Sequence, residues 1–558
     1  MGNFIPSNSL NVLPPYCRDK ACLVSTELWK EAIKQSFINT HKDLFEGKMN
    51  ASTVVITFVF LSMNSSSAKF SFPNINLQQL LKQLLCIVNS DSVLYQEEDL
   101  RPYECDALSA YQQLPFIVVL PETTEQIQKI LQLCNKIDLP VVARGAGTGL
   151  SGGALPYAKG LLLSLAKLNK IITIDQQLQT AIVQPGVRNL AISEAVSHLG
   201  LYYAPDPSSQ IACTIGGNVA ENSGGVHCLK YGLTVHNIQQ LKIVTIEGEL
   251  ITIGGNGLDS PGYDLLALLT GSEGMLGVIV EVTVKLLPKP EHIQTLLAAF
   301  DNVVNAGKAV ANIISAGIIP AGLEMMDKLA VKAAEDFVHA GYPVEAEAIL
   351  ICELDGIEEE VRQQVIAVQN ILLANAAIEV RIAKDEQERV NFWKGRKNAF
   401  PAVGRLSADY YCMDGTIPRK HLPQVLQTMA EMSKSYDLAV ANVFHAGDGN
   451  LHPLILYDGS KAGELEKAEE FGGKILELCI EVGGTITGEH GVGMEKLKQM
   501  CVQFNTAELK QFHAVKAAFD PKALLNPGKA IPSLHRCAEL GAMHVHHGKL
   551  PHPELERF

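Results

Sequence analysis

Arg144-Gly-Ala-Gly-Thr-Gly-Leu-Ser-Gly-Gly-Ala154 is the stretch of sequence that decides the fold of the first half of the chain. It directly follows Pro140-Val-Val-Ala143, an apolar run that predicts a buried strand. Glycines allow the backbone to approach a ligand closely and to point successive N–H groups at an anion such as pyrophosphate. The spacing does not match the Rossmann dinucleotide fingerprint, and no acidic residue stands at the expected distance after a second strand. Taken alone, the stretch indicates either a phosphate-binding loop or a merely glycine-rich turn.

Two further segments of the same half consist largely of glycine and other small residues. One is Pro205-Asp-Pro-Ser-Ser-Gln-Ile-Ala-Cys-Thr-Ile-Gly-Gly-Asn-Val-Ala-Glu-Asn-Ser-Gly-Gly225, and the other is Gly271-Ser-Glu-Gly-Met-Leu-Gly277. Residues this small cannot build a core over such lengths, so their backbone is predicted to lie against a ligand. Three glycine-rich stretches in one domain suit an extended dinucleotide that is held along its length, and loose loops are the alternative.

The flanking pattern predicts an α+β fold for this half. Strands are expected at residues 116–120, 140–143, 160–164, 171–174, 180–183, 240–246 and 278–287, with a helix at 124–135. Pro288-Lys-Pro290 breaks both helix and sheet, so it marks a domain boundary. Beyond it, helices at 305–315 and 358–375 alternate with strands at 348–352 and 379–382, which predicts an α/β domain. The predicted parts are an extension outside the core fold (1–70), a ligand-binding domain (71–288), the second domain (289–505) and a C-terminal helical segment (506–558).

The composition is that of a globular protein with several domains. The chain has 558 residues, of which 47% are apolar and 19% are charged. A net charge of −14 excludes a general nucleic-acid binder, because nothing offsets repulsion from phosphate. The 12 cysteines lack the short spacings of iron–sulfur or structural zinc sites, which predicts reduced core residues in a cytoplasmic protein. The apolar run 52–62 falls short of the roughly 20 residues that cross a bilayer.

His445-Ala-Gly-Asp-Gly-Asn-Leu-His452, followed by Gly488-Glu489-His490-Gly491, holds the reactive side chains of the second domain. Residues 440–444 and 454–457 are apolar enough to be strands, and the turn formers between them predict a hairpin. Pro453 is compatible with this, since proline is tolerated at the first residue of a strand. Such a hairpin brings His445 and His452 together, and with Glu489 they make the two-imidazole, one-carboxylate set of a catalytic metal site. Ordinary hydrogen-bonded histidines are the alternative.

Arg396 lies within Phe392-Trp-Lys-Gly-Arg-Lys-Asn-Ala-Phe400, among apolar and aromatic residues. A guanidinium in such surroundings needs an anionic partner, and a substrate carboxylate held in a bidentate fork is one such partner. An exposed helix charge or an internal salt bridge is equally consistent with the sequence.

The three glycine-rich segments together resemble the vanillyl-alcohol oxidase type of FAD-binding domain, also called the PCMH-type fold. The resemblance implies two α+β subdomains that clasp FAD between them, with the flavin ring facing a separate cap domain. Covalent flavin linkage occurs in parts of this superfamily and the sequence does not decide it; we take noncovalent binding as the default. The resemblance also implies that the cofactor is met by Arg144, Gly145, Gly147, Thr148, Gly149, Ser151, Gly152, Gly153, Pro205, Asp206, Gly216, Gly217, Asn218, Asn222, Gly224, Glu273, Gly274, Gly277, Ile279 and Asn526.

The second domain resembles the cap of the FAD-linked subunits of glycolate oxidases, whose wider relatives are FAD-dependent D-lactate and D-2-hydroxyglutarate dehydrogenases. The motifs that carry the likeness are residues 392–400, 410–418, 445–452 and 488–493, and it extends from about Tyr103 to the last residue. It implies a divalent metal ion, zinc or manganese, on His445, His452 and Glu489. It further implies that His490 is the catalytic base, Asn450 a polar substrate contact and Arg396 the carboxylate clamp.

The implied activity is oxidation of glycolate, and of D-lactate, to glyoxylate or pyruvate with hydride transfer to flavin N5. Because the sequence offers no iron–sulfur ligand set, the electrons are expected to leave through an iron–sulfur partner subunit toward quinone, in a complex with a second flavoprotein-like subunit. The expected location is the cytoplasm, with membrane contact only through those partners.

One departure from the relatives bears on the substrate. They carry a lysine shortly before the aspartate of the 410–414 segment, where this chain has Cys412 and Met413. A distal second carboxylate would lose its partner, which favours a small monocarboxylate. A self-sufficient D-lactate or D-2-hydroxyglutarate dehydrogenase is the alternative enzyme, and a non-enzymatic flavin-binding scaffold is a third hypothesis.

Overall fold

The computed structural model describes residues 75–257 and 262–533. The predicted extension (1–70) and the end of the predicted C-terminal segment (534–558) lie outside the described residues. Within the described ranges, no helix is both long and apolar enough to cross a membrane.

The strands divide into those before and those after the predicted boundary at Pro288. The first group is β1 (Val93–Leu94), β2 (Ile117–Val119), β3 (Val141–Arg144), β4 (Leu161–Ser164), β5 (Ile171–Asp175), β6 (Thr180–Val183), β7 (Leu201–Tyr202), β8 (Ile238–Val244), β9 (Leu250–Gly254), β10 (Val278–Lys285) and β11 (Leu287–Pro288). The second group is β12 (His292–Phe300), β13 (Gly322–Asp327), β14 (Ala348–Gly356), β15 (Ala377–Ile382), β16 (Asp409–Cys412), β17 (Gly415–Thr416), β18 (Val440–Phe444), β19 (Asn450–Leu451) and β20 (Pro453–Tyr457).

The α-helices divide in the same way. Those of the first half are α1 (Leu77–Leu84), α2 (Glu97–Leu100), α3 (Thr124–Ile137), α4 (Asn189–Val196), α5 (Ile215–Glu221), α6 (Cys228–Tyr231) and α7 (Leu265–Leu269). Those of the second half are α8 (Val303–Ser315), α9 (Lys328–Val338), α10 (Glu358–Ala374), α11 (Glu386–Lys397), α12 (Ala399–Val403), α13 (Leu422–Tyr436), α14 (Glu464–Glu481), α15 (Leu497–Gln503) and α16 (Thr506–Phe519). The predicted strands and helices of both halves are present, with ends shifted by a few residues.

A four-stranded sheet of order β1-β2-β4-β3 forms the first layer. The neighbours β2, β4 and β3 run parallel, and β1 pairs antiparallel at the edge. Helix α3 begins with a capping box between Thr123 and Gln126, and its apolar side packs on this sheet. A parallel sheet is usually covered on both faces, and β2 and β4 are accordingly buried along their whole length. The glycine-rich stretch after Arg144 therefore starts at the carboxyl end of a buried strand.

A five-stranded antiparallel sheet of order β5-β6-β10-β8-β9 forms the second layer of this half. Helix α5, which contains the glycines at 216 and 217, packs on its core. The segment 271–277 leads directly into β10 and is joined to α5 by backbone bonds from Gly271 N to Val219 O and from Glu273 N to Ala220 O, each 2.8 Å. The second and third glycine-rich segments are thus held against each other.

The second half is built on a seven-stranded sheet of order β15-β12-β14-β13-β18-β20-β16. Helices and strands alternate as the sequence predicts, yet the paired strands run antiparallel. Successive side chains of β12 enter opposite cores: Leu296 and Ala298 meet the core with α8, α10, α13 and α14, and Leu297 and Ala299 meet the core with α9, α11 and α12. The sheet is therefore covered by helices on both faces.

The segment after α16 returns to the first layer. Leu525 forms a parallel bridge with Val141, Val141 N donates to Leu524 O at 2.8 Å, and Asn526 N donates to Val141 O at 2.8 Å. The buried Lys529 ammonium bonds the carbonyls of Gly153 and Leu155. The end of the described chain thus completes the layer on which the first glycine-rich stretch is built.

Candidate active site

One cavity of about 590 Å³ is shared by the two halves of the protein. All three glycine-rich segments line it, and the second half contributes Lys397, Asn398, Phe400, Pro401, His452, Glu489 and His490. The predicted ligand-binding loops and the predicted reactive side chains therefore open into the same space.

Several glycines of the cavity wall are required because neighbouring atoms leave no room for a Cβ. A Cβ at Gly216 would lie 2.6 Å from the Cβ of Pro185, and one at Gly145 would collide with the Thr214 hydroxyl. Gly147 has φ +72°, where side chains are disfavoured, and the Arg144 guanidinium lies directly against it. Buried polar atoms of the same wall, Thr214 Oγ1 and Asn218 Nδ2, have no hydrogen-bond partner among the described residues. A lining of small residues with unpartnered donors fits an extended polar cofactor.

Most of the residues predicted to meet the cofactor line this cavity. They are Arg144, Gly145, Gly147, Thr148, Gly149, Gly153, Gly216, Gly217, Asn218, Glu273, Gly274, Gly277 and Ile279. Glu221 also lines the cavity and was missed, although a carboxylate inside a glycine-rich run is a signal that could have found it.

Five of the other predicted cofactor residues do not line the cavity: Ser151, Gly152, Asn222, Gly224 and Asn526. Ser151, Asn222 and Asn526 support its loops instead. The Ser151 carbonyl accepts the N–H groups of residues 494 and 495. The Asn526 carboxamide donates to the carbonyls of Gly153 and Glu273 at 3.0 and 2.7 Å. The Asn222 side chain accepts Val235 N–H at 2.9 Å. The polar groups of Ser151, Asn222 and Asn526 therefore hold the glycine-rich segments in place without facing the cavity.

Pro205 and Asp206 also lie outside the cavity lining, and the carboxylate of Asp206 has a different partner. It pairs with His227 Nδ1 at 2.8 Å, and His227 Nε2 faces Glu353 of β14 at 3.2 Å. Burial lowers the pKa of His227, but the two carboxylates outweigh it and raise the pKa to about 10. Asp206 is therefore part of an ionic link between the halves, because His227 occupies the carboxylate that the sequence assigned to the cofactor.

The predicted hairpin is confirmed by the pairing of β18 with β20, in which Ala441 faces Leu454, and by the bridge between His445 and Asn450. The imidazoles of His445 and His452 have ring centroids 5.0 Å apart. Nε2 of each ring lies 3.2 Å from the same Glu489 oxygen, Oε1. The ligand atoms of these three side chains all lie within 4.8 Å of one another, so the set could hold a metal ion.

Glu324 of β13 orients His445 from behind, and sequence reasoning missed it. Its Oε1 is 2.9 Å from His445 Nδ1, which assigns the Nδ1 proton to this bond and leaves Nε2 facing Glu489. Burial lowers the pKa of His445, but Glu324 and Glu489 raise it well above its ordinary value. The signal was a single carboxylate inside the otherwise apolar run Gly322-Leu-Glu-Met-Met.

Arg396 is buried, with 1% of its side chain exposed, and is not among the residues that line the cavity. Its Nε and Nη2 lie 2.8 and 2.7 Å from Glu324 Oε2. The internal salt bridge that the sequence left open is therefore formed, because Glu324 gives one oxygen to Arg396 and the other to His445. Contact of Arg396 with a substrate carboxylate stays a prediction.

His490 and Asn450 are the remaining predicted polar residues of the site. The His490 ring stacks on His452 with centroids 4.8 Å apart, and its Nδ1 has no partner among the described residues. Burial, helped by the neighbouring His452, lowers the pKa of His490 to about 4, so the ring is neutral at pH 7. Asn450 does not line the cavity, and its buried Oδ1 has no hydrogen-bond partner in the part of the chain that the structure describes. Its carboxamide lies where a side chain at Gly488 would be.

Asp414, His452 and His490 form a second group of potential metal ligands. Asp414 is unsuited to this role because its oxygens already accept three backbone N–H groups, the Thr487 hydroxyl and the Lys496 ammonium. The set around Glu489 is thus the better candidate metal centre.

Comparison with known proteins identifies the family. The FAD binding domain family matches residues 115–254, and the C-terminal domain of FAD linked oxidases matches residues 289–530. Over 488 residues the chain is 64% identical to glycolate oxidase subunit GlcD of Escherichia coli (strain K12), which covers 88% of this chain and 98% of that protein. The chain belongs to the FAD-linked oxidases.

A second relative agrees with this assignment, and one solved structure shows the same fold. Glycolate oxidase subunit GlcD of Bacillus subtilis (strain 168) is 41% identical over 428 residues, covering 76% of this chain and 91% of that one. The structure of p-cresol methylhydroxylase with substrate bound has a TM-score of 0.69 at 18% identity, covering 83% of this chain and 99% of that one. The predicted PCMH-type fold is confirmed, and the protein is an FAD-binding oxidoreductase.

Proposed function

We propose that this protein oxidises glycolate to glyoxylate at the cavity shared by its two halves. The observation that carries the proposal is that His452, Glu489 and His490 open into the space lined by the three FAD-binding glycine segments. Its 64% identity with the E. coli glycolate oxidase subunit supports glycolate as the substrate. Oxidation of a 2-hydroxy acid needs a hydride acceptor beside a proton acceptor, and this cavity brings the two together.

The side chains divide the chemistry between them. Bound FAD would supply the hydride acceptor, and His445, His452 and Glu489 would hold a divalent ion whose positive charge favours loss of the hydroxyl proton. His490, which is neutral at pH 7, takes the hydroxyl proton at a ring nitrogen as the C–H bond breaks. Glu324 keeps one proton of His445 on Nδ1, so that an ion would displace only the proton on Nε2.

The substrate carboxylate is assigned to the C-terminal end of α11. Lys397 and Asn398 line the cavity there, with Arg396 directly behind them. The Lys397 ammonium places one positive charge at this end of the cavity, which opposes the net charge of −14 where an anionic substrate enters. The predicted clamp at Arg396 and the cavity-facing Lys397 belong to the same turn.

The cavity end next to the imidazoles suits a small acid. Phe400 lines it, and its ring lies edge-on to the His452 ring at a centroid distance of 6.1 Å. Cys412 and Met413, which stand where the relatives have a lysine nearby, are buried and uncharged. Phe400 offers no partner for a second carboxylate, and Cys412 and Met413 do not line the cavity, which disfavours D-2-hydroxyglutarate.

The electrons require a second carrier. The sequence lacks the cysteine spacings of an iron–sulfur site, so we place an iron–sulfur subunit and a second flavoprotein-like subunit downstream, toward quinone. The proposed location is the cytoplasm, with any membrane contact made through these partners.

A substrate panel tests the reaction directly. Anaerobic mixing of the FAD-loaded protein with glycolate is expected to bleach the flavin absorbance, with D-lactate slower and L-lactate and D-2-hydroxyglutarate much slower. The readout is the first-order rate of bleaching in a stopped-flow spectrophotometer. Fastest bleaching by D-lactate or D-2-hydroxyglutarate would identify the alternative dehydrogenase instead. No bleaching by any of the acids would leave only a flavin-binding scaffold.

Phe400→Ala is expected to shift the preference toward longer 2-hydroxy acids. The ratio of kcat/KM for D-2-hydroxybutyrate to that for glycolate should rise by about tenfold or more, since each accommodated methylene contributes about 1–3 kcal/mol. Phe337→Ala is the matched control, because Phe337 lies at the surface of α9 and does not line the cavity. An unchanged ratio in Phe400→Ala would remove Phe400 from the substrate end.

A further inference from the structure

The short segment Gly488–Gly493, which carries Glu489 and His490, forms no helix or strand. A buried segment of this kind must still satisfy its backbone donors. The N–H groups of residues 488, 489 and 490 all point at the carboxylate of Asp414, and those of residues 492 and 493 point at the carboxylate of Glu273. Two side chains therefore take nearly all the donors of the segment.

Asp414 holds the first part of the segment from the second half of the protein. The distances to its oxygens are 3.1 Å from Gly488 N, 3.1 Å from Glu489 N and 2.9 Å from His490 N. The Thr487 hydroxyl and the Lys496 ammonium add bonds of 2.6 and 3.0 Å. Asp414 and Lys496 are both fully buried. Burial raises the pKa of Asp414, but Lys496 and the nearby imidazoles outweigh it, so this carboxylate stays ionised.

Glu273 holds the second part of the segment from the FAD-binding half. Its Oε1 and Oε2 accept Val492 N–H and Gly493 N–H, each at 2.7 Å. Glu273 sits on the third glycine-rich segment, and Asn526 donates to its carbonyl at 2.7 Å. Burial raises the pKa of Glu273 above its ordinary value, although the two N–H donors lower it in part. The sequence assigned Glu273 to the cofactor, yet both of its oxygens bond to the segment that carries His490.

Gly491 lies between the N–H groups bound by Asp414 and those bound by Glu273, and it is closely surrounded. Gly491 has φ +80°, and the space beside its Cα is filled by the carboxylates of Glu221 and Glu273. Ser151 O accepts Met494 N–H at 2.9 Å, and Gly493 O accepts Ala530 N–H at 2.8 Å. The segment is thus fastened to the first glycine-rich loop and to the C-terminal segment as well.

We propose that Asp414 and Glu273 are positioning residues, which hold Glu489 and His490 at a fixed distance from the bound flavin. Asp414 sets the local conformation of the two side chains, and Glu273 ties that conformation to the FAD-binding half. The catalytic consequence rests on the proposed oxidation of a 2-hydroxy acid. Only a reaction between groups from both halves depends on the distance between the flavin and these two side chains. Misplacement by about 1 Å costs about 100-fold in rate in such reactions.

The proposal is tested in the FAD-loaded full-length chain by two measurements. Hydrogen exchange followed by mass spectrometry reports the protection of the amides of residues 488–493, whether or not the protein is an enzyme. Asp414→Asn is expected to expose amides 488–490, and Glu273→Gln amides 492–493. Both variants should lose about 100-fold in the rate of flavin reduction by glycolate, with KM nearly unchanged and FAD still bound.

Asp175→Asn is the matched control. Asp175 also accepts two backbone N–H groups, from Gln177 and Leu178 at 2.9 Å, but in the turn between β5 and β6. The Asp175→Asn variant should leave the amide protection of residues 488–493 and the rate of flavin reduction unchanged. Should Asp414→Asn not fold, Thr487→Val removes one donor to Asp414 while keeping the side-chain shape, and a smaller parallel change in both readouts is expected.

Each contrary result has one meaning. Unchanged amide protection in these variants would show that the carboxylates do not hold the segment. Lost protection with an unchanged rate of flavin reduction would show that the grip does not position the catalytic groups. If the unmodified protein is not reduced by any 2-hydroxy acid, the proposed oxidation fails, and amide exchange still decides whether the two carboxylates grip the segment.

Discussion

His490→Asn is expected to lower the rate of flavin reduction by about 1,000-fold while FAD remains bound. General bases contribute about 10²–10⁴-fold, and His490 is the imidazole that lines the cavity in its neutral form. The substitution should not disturb the surrounding segment, because Asp414 bonds the backbone N–H of residue 490 and not its ring. The measurement is anaerobic stopped-flow bleaching with glycolate, at saturating concentration so that binding and chemistry separate.

His339→Asn is the control for this experiment. His339 is an exposed residue with φ 51° at the end of α9, a conformation that asparagine adopts readily. Its rate of flavin reduction should equal that of the unmodified protein. If His490→Asn also retained that rate, the proton would be taken by another group, and the assignment of the base would be wrong.

Glu489→Gln is expected to abolish metal binding and to lower kcat/KM by about 100-fold or more. Glu489 supplies the only carboxylate of the candidate metal set, and its Oε1 lies 3.2 Å from both imidazole Nε2 atoms. Burial raises its pKa, but His445 and the other nearby imidazoles outweigh it and lower the pKa to about 2. Metal per flavin, measured by mass spectrometry, should fall from about one to near zero, since structural and catalytic zinc needs its full ligand set.

Chelation separates the metal from a simple ion pair at the same site. A chelator should remove activity from the unmodified protein, and zinc or manganese should restore it, with the flavin absorbance unchanged throughout. Asp327→Asn is the control, because Asp327 is a carboxylate at the end of β13 that bonds Asn442 and caps α9 instead. Full activity after complete removal of metal would leave Glu489 as the partner of a charged His445 and exclude the metal.

Local pattern was enough to predict the helices and strands and the segments that line the cavity, whereas the PCMH-type fold was implied by the resemblance to a known family. The glycine-rich runs are informative because close approach of backbone to a ligand excludes side chains, as Gly216 against Pro185 shows. The hairpin was predictable because apolar strands flank turn formers between His445 and His452, with Pro453 at the first residue of β20. These features are set by neighbours in sequence, so a single chain reveals them.

The residues that hold the reactive groups in place were not predictable in the same way. Glu324 meets His445 across 121 positions, and Lys496 meets Asp414 across 82. Nothing local specifies such partners, since they depend on how sheets and loops come together. For the same reason the sequence could name an anionic partner for Arg396 but could not decide between a substrate and Glu324. A lone charge in an apolar strand shows that a partner exists without saying which.

The return of residues 524–529 to β3 gives the protein a particular order of assembly on the ribosome. The FAD-binding half is synthesised first, yet the layer beneath its first glycine-rich loop needs Leu525, Asn526 and Lys529, which come after the whole cap has been made. At about 5–20 residues per second, the interval is on the order of tens of seconds. During this time the first glycine-rich loop lacks its contacts with Leu525, Asn526 and Lys529. We therefore expect FAD to bind stably only after residues 524–529 have been synthesised and have reached β3.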